Sequence, residues 1–131
     1  MAVKRFEDLN VWQMARKYRH EIYKVSSKFP KREEYHLTAQ IRDASISITA
    51  NISEGYGRYH FRENIQFCRI SRGSINETLD HLYTALDEKY ISKAEFDRLY
   101  PQGREVERAI NGYIGYLKRE WRKSKTVAVD A

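Results

Sequence analysis

The sequence predicts an all-α fold, an antiparallel up-down-up-down four-helix bundle, and three observations carry that prediction. Apolar residues recur at steps of three and four through four segments, nothing alternates with period two over strand length, and only a few residues separate one segment from the next. Four amphipathic helices joined by loops this short can bury their seams together only by running alternately up and down. A chain of 131 residues is about one domain's worth and long enough to bury a core without staples.

The first seam is Val11, Ala15, Tyr18, Ile22, Val25 and Phe29, with Asp8 as its cap and Pro30 as its stop. Polar Lys31 to Glu34 leads into a second seam at Leu37, Ile41, Ala44, Ile48 and Ile52, which Gly55-Tyr56-Gly57 is expected to break. The third runs Phe61, Ile65, Cys68, Ile75, Leu79, Leu82 and Leu86, with Arg72 standing where the next apolar residue should fall. Ser92 forms a capping box with Glu95 before the fourth seam, which continues through Phe96, Leu99, Gly103, Val106, Ile110, Tyr113 and Leu117. Pro101 and Gly103 are expected to kink or split that helix. Residues 1–123 then form the bundle, and 124–131, which carry no seam, form a flexible C-terminal tail.

Composition narrows the function. Cys68 is the single cysteine, which leaves neither a disulfide nor a Cys-based zinc site and suits a reducing cytoplasm. No apolar run approaches the roughly 20 residues of a membrane span, and the first residues lack a signal peptide's apolar core. The histidines (His20, His36, His60, His81) include no i, i+4 pair, and Gly55-Tyr56-Gly57-Arg58 lacks the third glycine of a dinucleotide fingerprint and the Lys-Ser/Thr of a P-loop. Cys68 on its seam reads as a small buried hydrophobe. Together these features point to a cytoplasmic protein that is not an enzyme and needs no cofactor or metal.

Polar groups intrude on the seams. Asn51 and Glu54 close the second helix, while Arg72, Gly73, Ser74 and Glu77 interrupt the third. A buried arginine must be paired, so Arg72 is expected to meet Glu54 or Glu77, either as an internal ion pair that fixes register or as part of a partner site. Gly73 would allow close approach of a helix or a neighbouring subunit.

Charge is patchy. Lys plus Arg number 24 against 18 Asp plus Glu, a net +6. From Trp12 to Arg32 seven basic residues face one acid, and from Lys118 to Lys125 five face one, so the excess is concentrated in two stretches. In this topology the chain start, the second loop and the chain end share one end of the bundle. That end gathers Lys4, Arg5, Arg58, Arg62, Arg119, Arg122, Lys123 and Lys125, interleaved with Tyr56, Tyr59, His60 and Trp121, a pattern suited to phosphates and stacked bases. Ten tyrosines and two tryptophans exceed one small core's needs; Trp12, Tyr23, Tyr83, Tyr90, Tyr113, Tyr116 and Trp121 imply self-association or a second packing layer.

Three blocks carry a family resemblance: Phe6 to Gln13, Ser45 to Arg58, and Ser71 to Glu77. In order and spacing they closely resemble the four-helix bundle family of 23S ribosomal RNA intervening-sequence proteins, over roughly Lys4 to Leu117. The resemblance implies a ring of five subunits and no catalytic residue. Its related branch, the accessory variability proteins of diversity-generating retroelements, is similar in architecture and binds a reverse transcriptase and nucleic acid. By position, Asn51, Glu54, Gly55, Gly57 and Arg58 match the family's loop signature, and Arg72, Gly73, Ser74 and Glu77 its third-helix signature. Thr49 and Ser53 depart from it, where proline and alanine are common. The expected function is therefore an oligomeric bundle that binds RNA or DNA through its basic ends; the alternative is an adaptor for a protein partner such as a reverse transcriptase.

Overall fold

A computed structural model describes the protein over residues 2–130, with side chains described for residues 2–126. A 3-10 turn at Phe6–Asp8 precedes α1 (Asn10–Ser26), and a second at Lys31–Glu33 precedes α2 (Leu37–Gly57), α3 (Phe61–Asp87) and α4 (Lys93–Asp130). No strand occurs among the described residues. α1 and α3 each pack against both α2 and α4, while the diagonal pairs stay apart.

Cross-helix partners fix the direction of each helix. Arg19 meets Thr49 and Arg42 meets Ser26; Ser71 meets Ile48 and Ser74 meets Ser47. Asn64 meets Tyr113 and Asn76 meets Glu107; Glu21 meets Arg98 and Lys28 meets Glu95. At every junction one partner's number falls as the other's rises, so all four neighbouring pairs are antiparallel. The seams meet in a single core in which Tyr18, Ile22, Ile41, Ile48, Ile52, Ile75, Leu82, Leu99 and Ile110 are fully buried. Each such side chain contributes about 1.5–3 kcal/mol by leaving water.

Ser92 and Glu95 make the expected capping box: the Glu95 N–H donates to Ser92 Oγ at 3.1 Å, and the Ser92 N–H to Glu95 Oε1 at 2.9 Å. Asp8 does not cap α1. Its carboxylate instead accepts the Lys4 and Arg5 N–H groups at 3.1 Å each, closing the 3-10 turn that the periodicity of the seam did not register. α1 also stops at Ser26, four residues before Pro30, although Phe29 is buried as its seam requires.

Two expectations about helix interiors are corrected. Arg72 is not a buried seam residue: it is half-buried and donates to Asn111 Oδ1 at 2.8 Å, while Glu54 pairs with Arg58 and Glu77 lies 3.6 Å from His81. Buried Ser71, Ser74 and Thr78 occupy the seam there. Short hydroxyl side chains donate hydrogen bonds to main-chain carbonyls, Ser71 to Ile48 at 2.7 Å and Thr78 to Ser74 at 2.8 Å, so the crossing needs no buried charge. α2 ends at Gly57, where Gly55-Tyr56-Gly57 is expected to stop it, but both glycines keep helical dihedrals and the left-handed residue of the turn is Tyr59, with φ 59°. Finally, Pro101 lies within an unsplit α4. Nine residues into the helix, it removes one N–H donor from the ladder and crowds the carbonyl of Asp97 without ending the helix.

α4 also runs on through most of the expected tail, up to Asp130, because no glycine or proline follows Gly115. Ser124 to Thr126 are exposed on it; the side chains of 127–130 and all of residue 131 lie outside the described residues.

Candidate nucleic-acid interface

One end of the bundle is built from the chain before α1, the three-residue connection between α2 and α3, and the later turns of α4. The pairing of Asn64 with Tyr113 sets the level: Phe61 at the start of α3 stands opposite about Tyr116, and Lys125 lies about 13 Å further along α4 at 1.5 Å per residue. Lys4, Arg5, Arg58, Arg62, Arg119, Arg122, Lys123 and Lys125 are all exposed.

These cations are not equivalent. Arg58 donates to Glu54 Oε1 at 2.9 Å, lies 3.7 Å from Glu63 and packs 5.1 Å over the Phe67 ring. Its charge is spent on tying the α2–α3 connection together. Lys123 pairs with Glu120 at 3.3 Å, and the Lys125 ammonium sits 4.1 Å over Trp121. Lys4, Arg5, Arg62, Arg119 and Arg122 make no ion pair among the described residues, so they carry the positive field of this end.

Between the three elements lies a cavity of about 460 Å³, lined chiefly by Tyr56, Tyr59, His60, Phe61, Tyr113 and Tyr116. Asn64 closes its floor, donating from Nδ2 to the Tyr113 hydroxyl at 3.2 Å and accepting the Cys68 thiol at 3.6 Å. Burial pushes Tyr113 up to about 12, and Cys68 likewise to about 12, so neither ionises near neutrality. Cys68 is therefore held as a thiol behind Asn64, which suits packing and not nucleophilic attack.

The signature residues fall into two groups. Gly55 is buried where α2 and α3 cross, and a Cβ there would lie 2.8 Å from Asn64 Oδ1 and 2.9 Å from Phe67 Cβ. It supplies the close approach expected of Gly73, which instead faces open space, as does Gly57. Asn51 donates to the Ser47 carbonyl and hydroxyl, and Ser74 donates to Ser47 Oγ at 2.8 Å, a small polar seam between the helices. Glu54, Arg72 and Glu77 lie on the outside of the bundle, apart from the cavity.

Of the surplus aromatics, Trp12, Tyr90, Tyr113 and Trp121 pack against the core as an outer layer, while Tyr23, Tyr83 and Tyr116 remain exposed. The sequence also counted the cations of α1 without placing them. Arg16, Lys17, Arg19 and His20 border a wide groove of about 980 Å³ beside Gln102 of α4, a site that a face-by-face charge count along α1 would have found. Gathering of Asn64, Tyr113 and Tyr116 around the second loop could have been inferred from the antiparallel register. Among the described residues no group of three His, Cys, Asp or Glu side chains could hold a metal, and no helix is long and apolar enough to cross a membrane.

Comparison with known proteins gives a consistent picture. The profile of the family described as 23S rRNA-intervening sequence protein matches residues 7–112. A crystal structure of a protein of unknown function from the S23 ribosomal protein family of Bacteroides thetaiotaomicron is similar in fold, with TM-score 0.74 and 19% identity over 80% of this chain and 95% of that one. No curated protein matches the chain.

Proposed function

Because the chain belongs to the family of 23S rRNA-intervening sequence proteins, we propose that it is a non-enzymatic helical scaffold that binds RNA or DNA by its phosphate backbone. The observation that carries this reading is the convergence of Lys4, Arg5, Arg62, Arg119 and Arg122, exposed and without acidic partners among the described residues, on one end of the bundle. Phosphate neutralisation by such groups is insensitive to sequence and steeply sensitive to salt. Five contacts to a single strand correspond to a slope of about −3.5 in log affinity against log salt, or roughly a hundredfold weakening between 50 and 200 mM.

Replacing Arg62, Arg119 and Arg122 together by Glu tests the reading. Arg58 and Lys123 are poorer probes because they already hold internal ion pairs. The triple variant should keep its helical circular dichroism and lose about 2 units of salt slope, one 0.7 share per contact. Unchanged affinity and slope would overturn the footprint.

The scaffold is further proposed to act as a homo-oligomer, a ring of five on the family resemblance. In support, Ile46 and Ile70 are 41% and 53% exposed on the α2–α3 face beside Ala50 and Gly73, a strip of apolar and small residues left open among the described residues.

A further inference from the structure

Tyr59 occupies a backbone position that tyrosine disfavours. Its φ of 59° lies in the left-handed region, which ends α2 and which glycine or asparagine would fill with less strain. Packing within the chain does not offset that strain, because the residue is 84% exposed. The strained position does hold a ring at the rim of the 460 Å³ cavity, 6.3 Å from the Tyr56 ring. Across the opening Tyr116 is 50% exposed and lies nearly parallel to Tyr113, with interplanar angle 11°. The wall is aromatic, yet the floor is polar: the Tyr113 hydroxyl already accepts a proton from Asn64, so its own proton is left to donate into the cavity. Each lining element also carries a cation next in the chain: Lys4 after Val3, Arg62 after Phe61, and Lys118 and Arg119 after Leu117.

From this geometry we infer that the cavity is a nucleobase pocket: it takes one unpaired base of a single-stranded RNA or DNA while the cations around its mouth hold the flanking phosphates. The inference rests on the nucleic-acid reading above and adds to it a preference for unpaired strands. Aromatic walls accept the face of any base, and the Tyr113 proton would meet an acceptor on the base edge. A duplex keeps its bases stacked and paired, so it could use only the surrounding cations. Volume is also appropriate, since ligand pockets of a few hundred Å³ and upward enclose groups of this size.

The test compares two fluorescein-labelled 12-nucleotide strands at 50 mM salt by anisotropy: oligouridine, and the abasic strand of the same phosphate count. The wild-type protein should bind oligouridine about tenfold more tightly. Tyr59→Gly and Tyr116→Ala should each shrink that ratio towards one while abasic binding changes less than twofold. Both replace exposed side chains, and Tyr59→Gly also relieves the backbone, so thermal melting should show intact folds. Equal, salt-sensitive binding of the two strands by the wild type would overturn the pocket and leave phosphate binding standing. A ratio that survives in both variants would likewise overturn the pocket. Failure of both strands to bind at low salt would overturn both readings.

Discussion

At Gly103 and Gly73 the same residue type serves opposite ends. A Cβ on Gly103 would fall 2.7 Å from the Tyr18 hydroxyl and 2.8 Å from Leu79 Cδ2, because side chains of both α1 and α3 reach α4 there. Tyr18 is fully buried with no hydrogen-bond partner for its hydroxyl among the described residues, and burial holds its ionisation far above the ordinary tyrosine value. The ring cannot swing aside without opening the core. Gly103→Ala should therefore destabilise the protein by about 1–3 kcal/mol, the usual consequence of overpacking. Gly73 is helical and open, so Gly73→Ala should stabilise the isolated chain by about 0.5–1 kcal/mol through helix propensity alone. Urea denaturation of the two variants checks the pair, and equal signs would contradict this account of α4 packing.

The fourth helix is secured at its start by one carboxylate with two tasks. Glu95 completes the Ser92 box and also receives the Lys28 ammonium from the end of α1. The Lys28 hydrogen bond first, and the Ser92 N–H second, hold its carboxyl below the usual range. With a folded value below the unfolded one, its stabilising effect is complete above the ordinary carboxylate value, about pH 4.3, and is lost as the pH falls through the folded value. Ser92→Ala should cost about 1 kcal/mol at neutral pH. Glu95→Gln should lower the melting temperature at pH 7 and flatten its fall between about pH 5 and pH 2, as followed by circular dichroism. A wild-type acid profile in that variant would remove Glu95 from this role.

This capping box was legible in the sequence because its partners are three residues apart. So were all four seams, since helical period is a local property. What escaped local reading depended on neighbours across the core. Whether Arg72 or Ser71 faced inward depends on small rotations of α3, and Ser71 prevails because its hydroxyl finds the Ile48 carbonyl on α2. Propensity places the reversal after α2 on glycine, yet Gly55 is retained in the helix by the closeness of α3 and the turn passes to Tyr59. At the candidate site the list of cations was readable, and so was the local spacing that pairs Arg58 with Glu54 and Lys123 with Glu120; only the contact of Arg58 with Glu63 depends on the folded α2–α3 connection.

At the scale of the whole molecule, the cationic end and the α2–α3 face are different surfaces. Self-association through Ile46 and Ile70 would leave the cations of each subunit open to phosphate. Ile70→Glu, a charge placed on an exposed position, should leave the chain folded but reduce its assembly to monomers in light scattering, and should weaken nucleic-acid binding through loss of multivalency. A persistent oligomer of unchanged mass would locate the contact elsewhere.

The order in which the helices touch also bears on how the chain acquires its shape. α2 and α3 share the most extensive packing and are separated by only three residues, so their hairpin forms at small loop-closure entropy. α1 and α4 meet across the longest stretch of chain, through Lys28 with Glu95 and Tyr18 against Gly103, and so close last. A folding nucleus in the α2–α3 hairpin, with the flanking helices added around it, gives mostly local contacts and fast, cooperative folding. Substitutions of the serines and threonine in the α2–α3 seam are thus expected to slow folding, and substitutions at the α1–α4 junction to speed unfolding, as refolding and unfolding rates in a denaturant series would show.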